Sequence, residues 1–248
     1  MKKKRSIKKI IIALIILIIV VLGLAFTVAF RELHEEDILK QEIINYSNKD
    51  LATDDYSIEV KTTGDRAYVE ETVKKYYRSL SNSVKAINYY LSNDDLINIL
   101  TIENLKSDNP TFENSHKIIN DSKSKINKEF NNISSLCEED TIKNLLDTDK
   151  LSDPEYYYDF YLNLMYTEKD IEELSNVKQY METLSSHLNS ILDKMDEILT
   201  FLETNKDYIV YTDTLVTFTD QNILNEYNTL SNELTTLTSS IPSTESDI

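Results

Sequence analysis

Residues 155–203 read EYYYDFYLNLMYTEKDIEELSNVKQYMETLSSHLNSILDKMDEILTFLE, forty-nine residues without Gly or Pro. Phe160, Leu164, Ile171, Leu174, Met181, Leu188, Leu192, Met195, Leu199 and Leu202 recur along it at helical spacing, an apolar stripe that must be buried against other helices. Asp153–Pro154 opens the run as an N-cap followed by Pro in the first turn. Thr167 and Asp170 resemble a capping box, which predicts a break near residue 168.

Outward from this run the same period continues. Val69, Val73, Tyr76, Leu80, Val84, Ile87 and Leu91 predict a helix starting near Asp65, read as its N-cap. Ser92–Asn93–Asp94 ends it and begins a short helix with Leu96, Ile97, Leu100 and Leu105. From about Thr111 to Cys137, Phe112, Ile119, Ile126 and Ile133 form a heptad seam, with His116, Lys123, Phe130 and Cys137 at the partner positions. A short helix is expected over 139–147. Asp220 caps a last helix carrying Ile223, Leu224, Tyr227, Leu230, Leu234 and Leu237. Between residues 208 and 218 two β-branched and aromatic runs flank Thr212–Asp213, which predicts a small β-hairpin.

Two Gly and three Pro in 248 residues cannot supply the turns of a sandwich or a doubly wound sheet. The expected fold is therefore all-α: an elongated antiparallel bundle of about four main helices, with that hairpin as an accessory.

The N-terminal part is of another kind. Ile10–Phe30 is IIIALIILIIVVLGLAFTVAF, uncharged, with Thr27 its one polar side chain. As a helix it spans about 31 Å, the thickness of a hydrocarbon core. Six Lys and Arg lie in the nine residues before it, and RELHEED comes after it. Basic flanks stay on the cytoplasmic side, so the reading is a cytoplasmic 1–9, a transmembrane anchor over 10–30 and an extracytoplasmic remainder. The run exceeds the usual apolar core of a cleaved signal peptide, which favours an uncleaved anchor. Residues 31–64 are expected as juxtamembrane stalk and linker, 65–239 as the bundle, and 240–248 as a disordered tail.

All six basic residues of the first nine precede every one of the 43 acidic residues. The net charge of −17 thus becomes more negative still beyond residue 30. Such a surface repels nucleic acid, and no nucleic-acid partner is expected. The Asn, Lys, Ile, Ser and Thr bias suits an AT-rich genome, as in low-GC Gram-positive bacteria. One cysteine, Cys137, forbids an internal disulfide and reads as a small buried apolar group.

Motifs of catalysis and ligation fail when counted out. His34–Glu35–Glu36 lacks a second His at zinc-protease spacing. His116 and His187 would need a bundle to meet. The acidic loop Asp147, Asp149, Asp153 puts Ser152 and Tyr158 where an EF-hand needs Gly and Glu. No phosphate loop and no nucleophile motif occurs, so no cofactor, no metal and no catalytic residue is assigned. The distinctive surface is aromatic: Tyr156, Tyr157, Tyr158, Tyr161 and Tyr166. Three consecutive tyrosines cover about 300° of a helix, so some must face outward, where Tyr suits contact surfaces.

The functional expectation is a membrane-anchored, non-catalytic cell-envelope component. It would contact the bilayer through 10–30 and a protein or wall partner through a helix face. A sensory ectodomain, a wall-directed enzyme and a cleaved secreted factor are the alternatives.

Overall fold

The computed structural model describes residues 37–165 and 168–240. The anchor, the basic start, Tyr166 and most of the expected tail lie outside the described residues. Among the described residues, no helix is long and apolar enough to cross a membrane.

The described chain is mostly helical, with one two-stranded hairpin. Its elements are α1 (Asp37–Ser47), α2 (Asp65–Leu91), α3 (Asp94–Ile97), α4 (Ile102–Asp108), α5 (Glu113–Leu136) and α6 (Glu139–Lys143), then α7 (Pro154–Met165), α8 (Glu168–Thr204), β1 (Ile209–Tyr211), β2 (Val216–Phe218) and α9 (Gln221–Ser239). Side-chain caps set three of the helix starts. The Asn93 side chain accepts from Asp95 N–H at 2.8 Å and starts α3. Thr101 caps α4, so the expected single short helix is two. Asp220 accepts from the N–H groups of Asn222 and Ile223 and starts α9. α7 is described to Met165 and α8 from Glu168; the break expected at Thr167 falls on residues 166–167, which lie outside the described residues.

Two starts differ from expectation. Asp65 is the first residue of α2 rather than its cap, and its carboxylate accepts from Ser152 N–H and Oγ–H instead. α5 begins at Glu113, just after Phe112, which takes a left-handed φ of 48°. That conformation is unfavourable for a bulky residue. The Phe112 ring is fully buried, and Asp108 reaches back to accept from Ser115 N–H at 2.7 Å.

The chain divides into two compact units. One holds 89–128 and 183–240, the other 37–88, 129–165 and 168–182 within the described residues. In the second, Tyr76 Oη donates to the Leu136 carbonyl at 3.1 Å and Ser83 Oγ to Glu129 at 2.8 Å. The pairings run in opposite order, so α2 and α5 are antiparallel there. Val69, Val73, Leu80 and Val84 of α2 are buried, as are Phe130, Ile133 and Cys137, Leu39 and Ile43 of α1, and Leu174, Val177 and Met181 of α8.

Residues 48–64, expected as linker, pack part of their length on α2. Leu51 and Tyr56 are buried, Ser81 of α2 donates to the Leu51 carbonyl at 2.8 Å, and Lys85 donates to the Asp54 carbonyl at 2.5 Å. The reason is that α2 supplies donors to a segment whose own backbone groups have no helix to satisfy them.

In the first unit, α5 and α8 are antiparallel through Lys123–Asp193 (2.5 Å) and the Asn127–Asn189 side-chain pair. Phe112, Ile119, Ile126, Leu188, Leu192, Met195, Leu199 and Leu202 are buried. α9 runs back along α8, with Leu230 and Leu234 covered and Lys194 reaching Glu233 at 2.8 Å. The hairpin pairs Ile209 with Phe218 and Tyr211 with Val216. No Gly is needed at its turn: the Thr212 hydroxyl accepts from Leu215 N–H at 3.0 Å, while Thr212 N–H donates to the Leu215 carbonyl at 2.9 Å.

Leu199 is completely buried. Leu199→Ala is expected to lower stability by about 2–5 kcal/mol, read from urea unfolding followed by circular dichroism.

Candidate functional site

The most elaborate polar assembly is built around Lys74 of α2. Its Nζ lies 2.7 Å from Glu42 of α1 and 2.8 Å from Glu70 one turn back on α2. It also donates to the Glu59 carbonyl at 2.5 Å and sits 5.2 Å from the centre of the Tyr46 ring. The side chains of Lys74 and Glu70 are 1 % and 0 % exposed. Glu70 accepts further from the N–H groups of Lys61 and Thr62 and from the Thr62 hydroxyl. Lys61 closes the set by pairing with Glu42 at 2.6 Å.

Burial alone would raise the pKa of both glutamates. For Glu42 the ammonium groups of Lys61 and Lys74 outweigh it; for Glu70 Lys74, Thr62 and two backbone N–H groups do so. Both carboxyls are held below the ordinary glutamate value and stay ionised. A general acid needs the opposite shift. The arrangement is therefore a clamp: it fixes α1 and the 59–62 segment to α2.

Beside the clamp a recess of about 210 Å³ is lined by Glu42, Tyr46, Lys49, Ser57, Glu59 and Lys61, with Asn45 and Lys74 completing it. Tyr46 Oη donates to the Ser57 carbonyl at 2.9 Å and Tyr56 Oη to the Lys49 carbonyl at 2.7 Å. The two rings meet edge to face at 5.1 Å. Within the lining, Glu42, Lys61 and Lys74 are paired with one another and Tyr46 with Ser57.

The tyrosines named from sequence do not form one surface. Tyr161 is fully buried, its hydroxyl donating to the Ile142 carbonyl at 2.7 Å. Tyr156 is 48 % exposed, and Tyr157 and Tyr158 are half-buried. Tyr156 meets Tyr157 edge to face at 5.0 Å and stacks parallel to Phe160 at 6.4 Å. Lys40, in the first turn of α1, lies over the Phe160 ring at 5.9 Å.

The other candidates have local partners. His116 Nδ1 lies 2.6 Å from Asp196 Oδ1, and His187 Nε2–H donates to the Leu237 carbonyl, so the two histidines do not converge. Among the described residues no group of three or more His, Cys, Asp or Glu is placed to hold a metal ion. Asp147 pairs with Lys150 at 3.0 Å, and Asp153 accepts from Tyr156 N–H at the start of α7. Cys137 is buried, and burial pushes its thiol up to about 12. Sequence reading missed the outer face of the hairpin, where Tyr208, Val210 and Leu215 are exposed. The alternation along β1 was the available signal.

No protein-family model, curated protein or solved structure matches the chain.

Removing the Lys74 ammonium leaves two carboxylates unanswered. Lys74→Ala is expected to cost about 3–5 kcal/mol at neutral pH by denaturant unfolding. The glutamate pKa values are lower in the folded than in the unfolded chain. Their contribution is therefore present above the ordinary value of 4.5 and is lost as pH falls through the lower folded-state values. Stability measured against pH should decline on that acid limb, and Glu70→Gln should flatten it. Cys137 should react with an aromatic disulfide reagent on unfolding and stay inert in the native protein.

Proposed function

We propose that this chain is a membrane-anchored, non-catalytic, extracytoplasmic helical protein that serves as a binding or scaffold component of the cell envelope. The observation that carries the reading is Ile10–Phe30, long enough to span a hydrocarbon core and preceded by a dense basic cluster. The acidic charge of everything beyond it suits a surface exposed to water and repelled by nucleic acid.

Two structural features support a scaffold over an enzyme. The clamp makes α1, separated from the apolar run by six residues, one piece with α2. The perturbed carboxylates Glu42 and Glu70 are held ionised by lysines, which suits joining helices rather than transferring protons. Of the tyrosines named from sequence, Tyr156, Tyr157 and Tyr158 lie outside the buried core and are the proposed contact surface.

A protease added to intact cells is expected to remove the described region, and inverted membrane vesicles are expected to protect it. Survival of that region on intact cells, while known surface proteins are shaved, would reverse the orientation and end the proposal.

A further inference from the structure

We infer that the exposed aromatic face of α7 docks on the lipid headgroup layer beside the anchor, with Tyr156 as its leading side chain. The inference rests on the anchored reading of Ile10–Phe30. It starts from the length of chain between the apolar run and α1. Only residues 31–36 separate Phe30 from Asp37, and those seven residue steps reach at most about 25 Å. The first turn of α1 therefore lies close to the bilayer surface.

α7 is packed against that turn. Lys40 lies over the Phe160 ring, and Tyr156 stacks with the same ring at 6.4 Å. The start of α2 joins the same end, because Asp65 holds Ser152 just ahead of Pro154. The clamp prevents α1 from swinging away, since Glu42 is tied to Lys74 and Lys61.

The chemistry of the face fits a headgroup layer. Tyr156 presents an apolar ring with a hydroxyl at its edge, and Tyr157 packs against it. Tyrosine favours the zone where one side is apolar and the other wet. That zone is about 5–8 Å deep outside the hydrocarbon core, a depth one ring can enter. Asp153, Glu155 and Asp159 flank the rings and are exposed. They stay in water and set the lipid preference: zwitterionic headgroups accept this face, and anionic ones repel it.

The chain contains no Trp, so a single substitution supplies a unique probe. Full-length Tyr156→Trp protein is reconstituted into nanodiscs of phosphatidylcholine, with and without bromine on the acyl chains close to the headgroup. An Asp55→Trp variant serves as reference, because Asp55 is exposed and lies beyond the far end of α1. The expected result is a loss of Tyr156→Trp emission in brominated discs, no loss for Asp55→Trp, and a smaller loss when phosphatidylglycerol is added at low salt. Protein that enters the discs but leaves Tyr156→Trp unquenched overturns the docking and spares the anchor. Protein that fails to enter the discs removes both. Shielding of the probe from acrylamide that tracks protein concentration rather than lipid assigns the face to a second copy and also overturns the docking.

Discussion

A lysine ammonium withdrawn from water has to be met by negative charge, and Lys74 is met from two sides. Glu42 and Glu70 bracket it, and the Glu59 carbonyl accepts a further hydrogen bond from its Nζ. A buried pair of this kind adds little net stability over a well-packed apolar substitute. What it adds is specificity. Each carboxylate arrives from a different part of the chain, and only one placement of α1 and of residues 59–62 satisfies all of them. The placement of α1 and of residues 59–62 against α2 depends on that single condition.

The apolar seams supply most of the stabilisation and are less particular about partners. Their polar interruptions supply the register. His116 and Lys123 stand at seam positions of α5, and each finds an aspartate on α8, Asp196 and Asp193. Asn127 is shared with Asn189 and Ser185 in the same way. A slide of one helix turn would leave all of these groups without their partners, a larger penalty than the loss of any one apolar contact.

The two features together describe a protein in which charge places the pieces and apolar burial holds them. On α7, Tyr156 is 48 % exposed and Tyr157 and Tyr158 are half-buried. Tyr161, one turn further on, belongs to the core, and this division of one aromatic run gives α7 an inner and an outer face. The outer face lies beside the start of α1, which makes it a surface defined by where the chain enters the domain.

Much of the secondary structure was legible from residues near in sequence. Apolar period, the scarcity of Gly and Pro, and caps at Asn93, Asp153 and Asp220 act within a few residues, so the long helices and the hairpin could be located without knowing the fold. The start at Glu113 could not, because the left-handed turn at Phe112 exists only where its ring is buried. Residues 48–64 read as a linker for the same reason: their polar composition hides the buried Leu51 and Tyr56 and the donors that α2 extends to them. Lys74 and Glu42 are 32 residues apart. Charges on a sequence carry no mark of which will be buried together, since that choice is made by helix packing, and only the tertiary structure decides it.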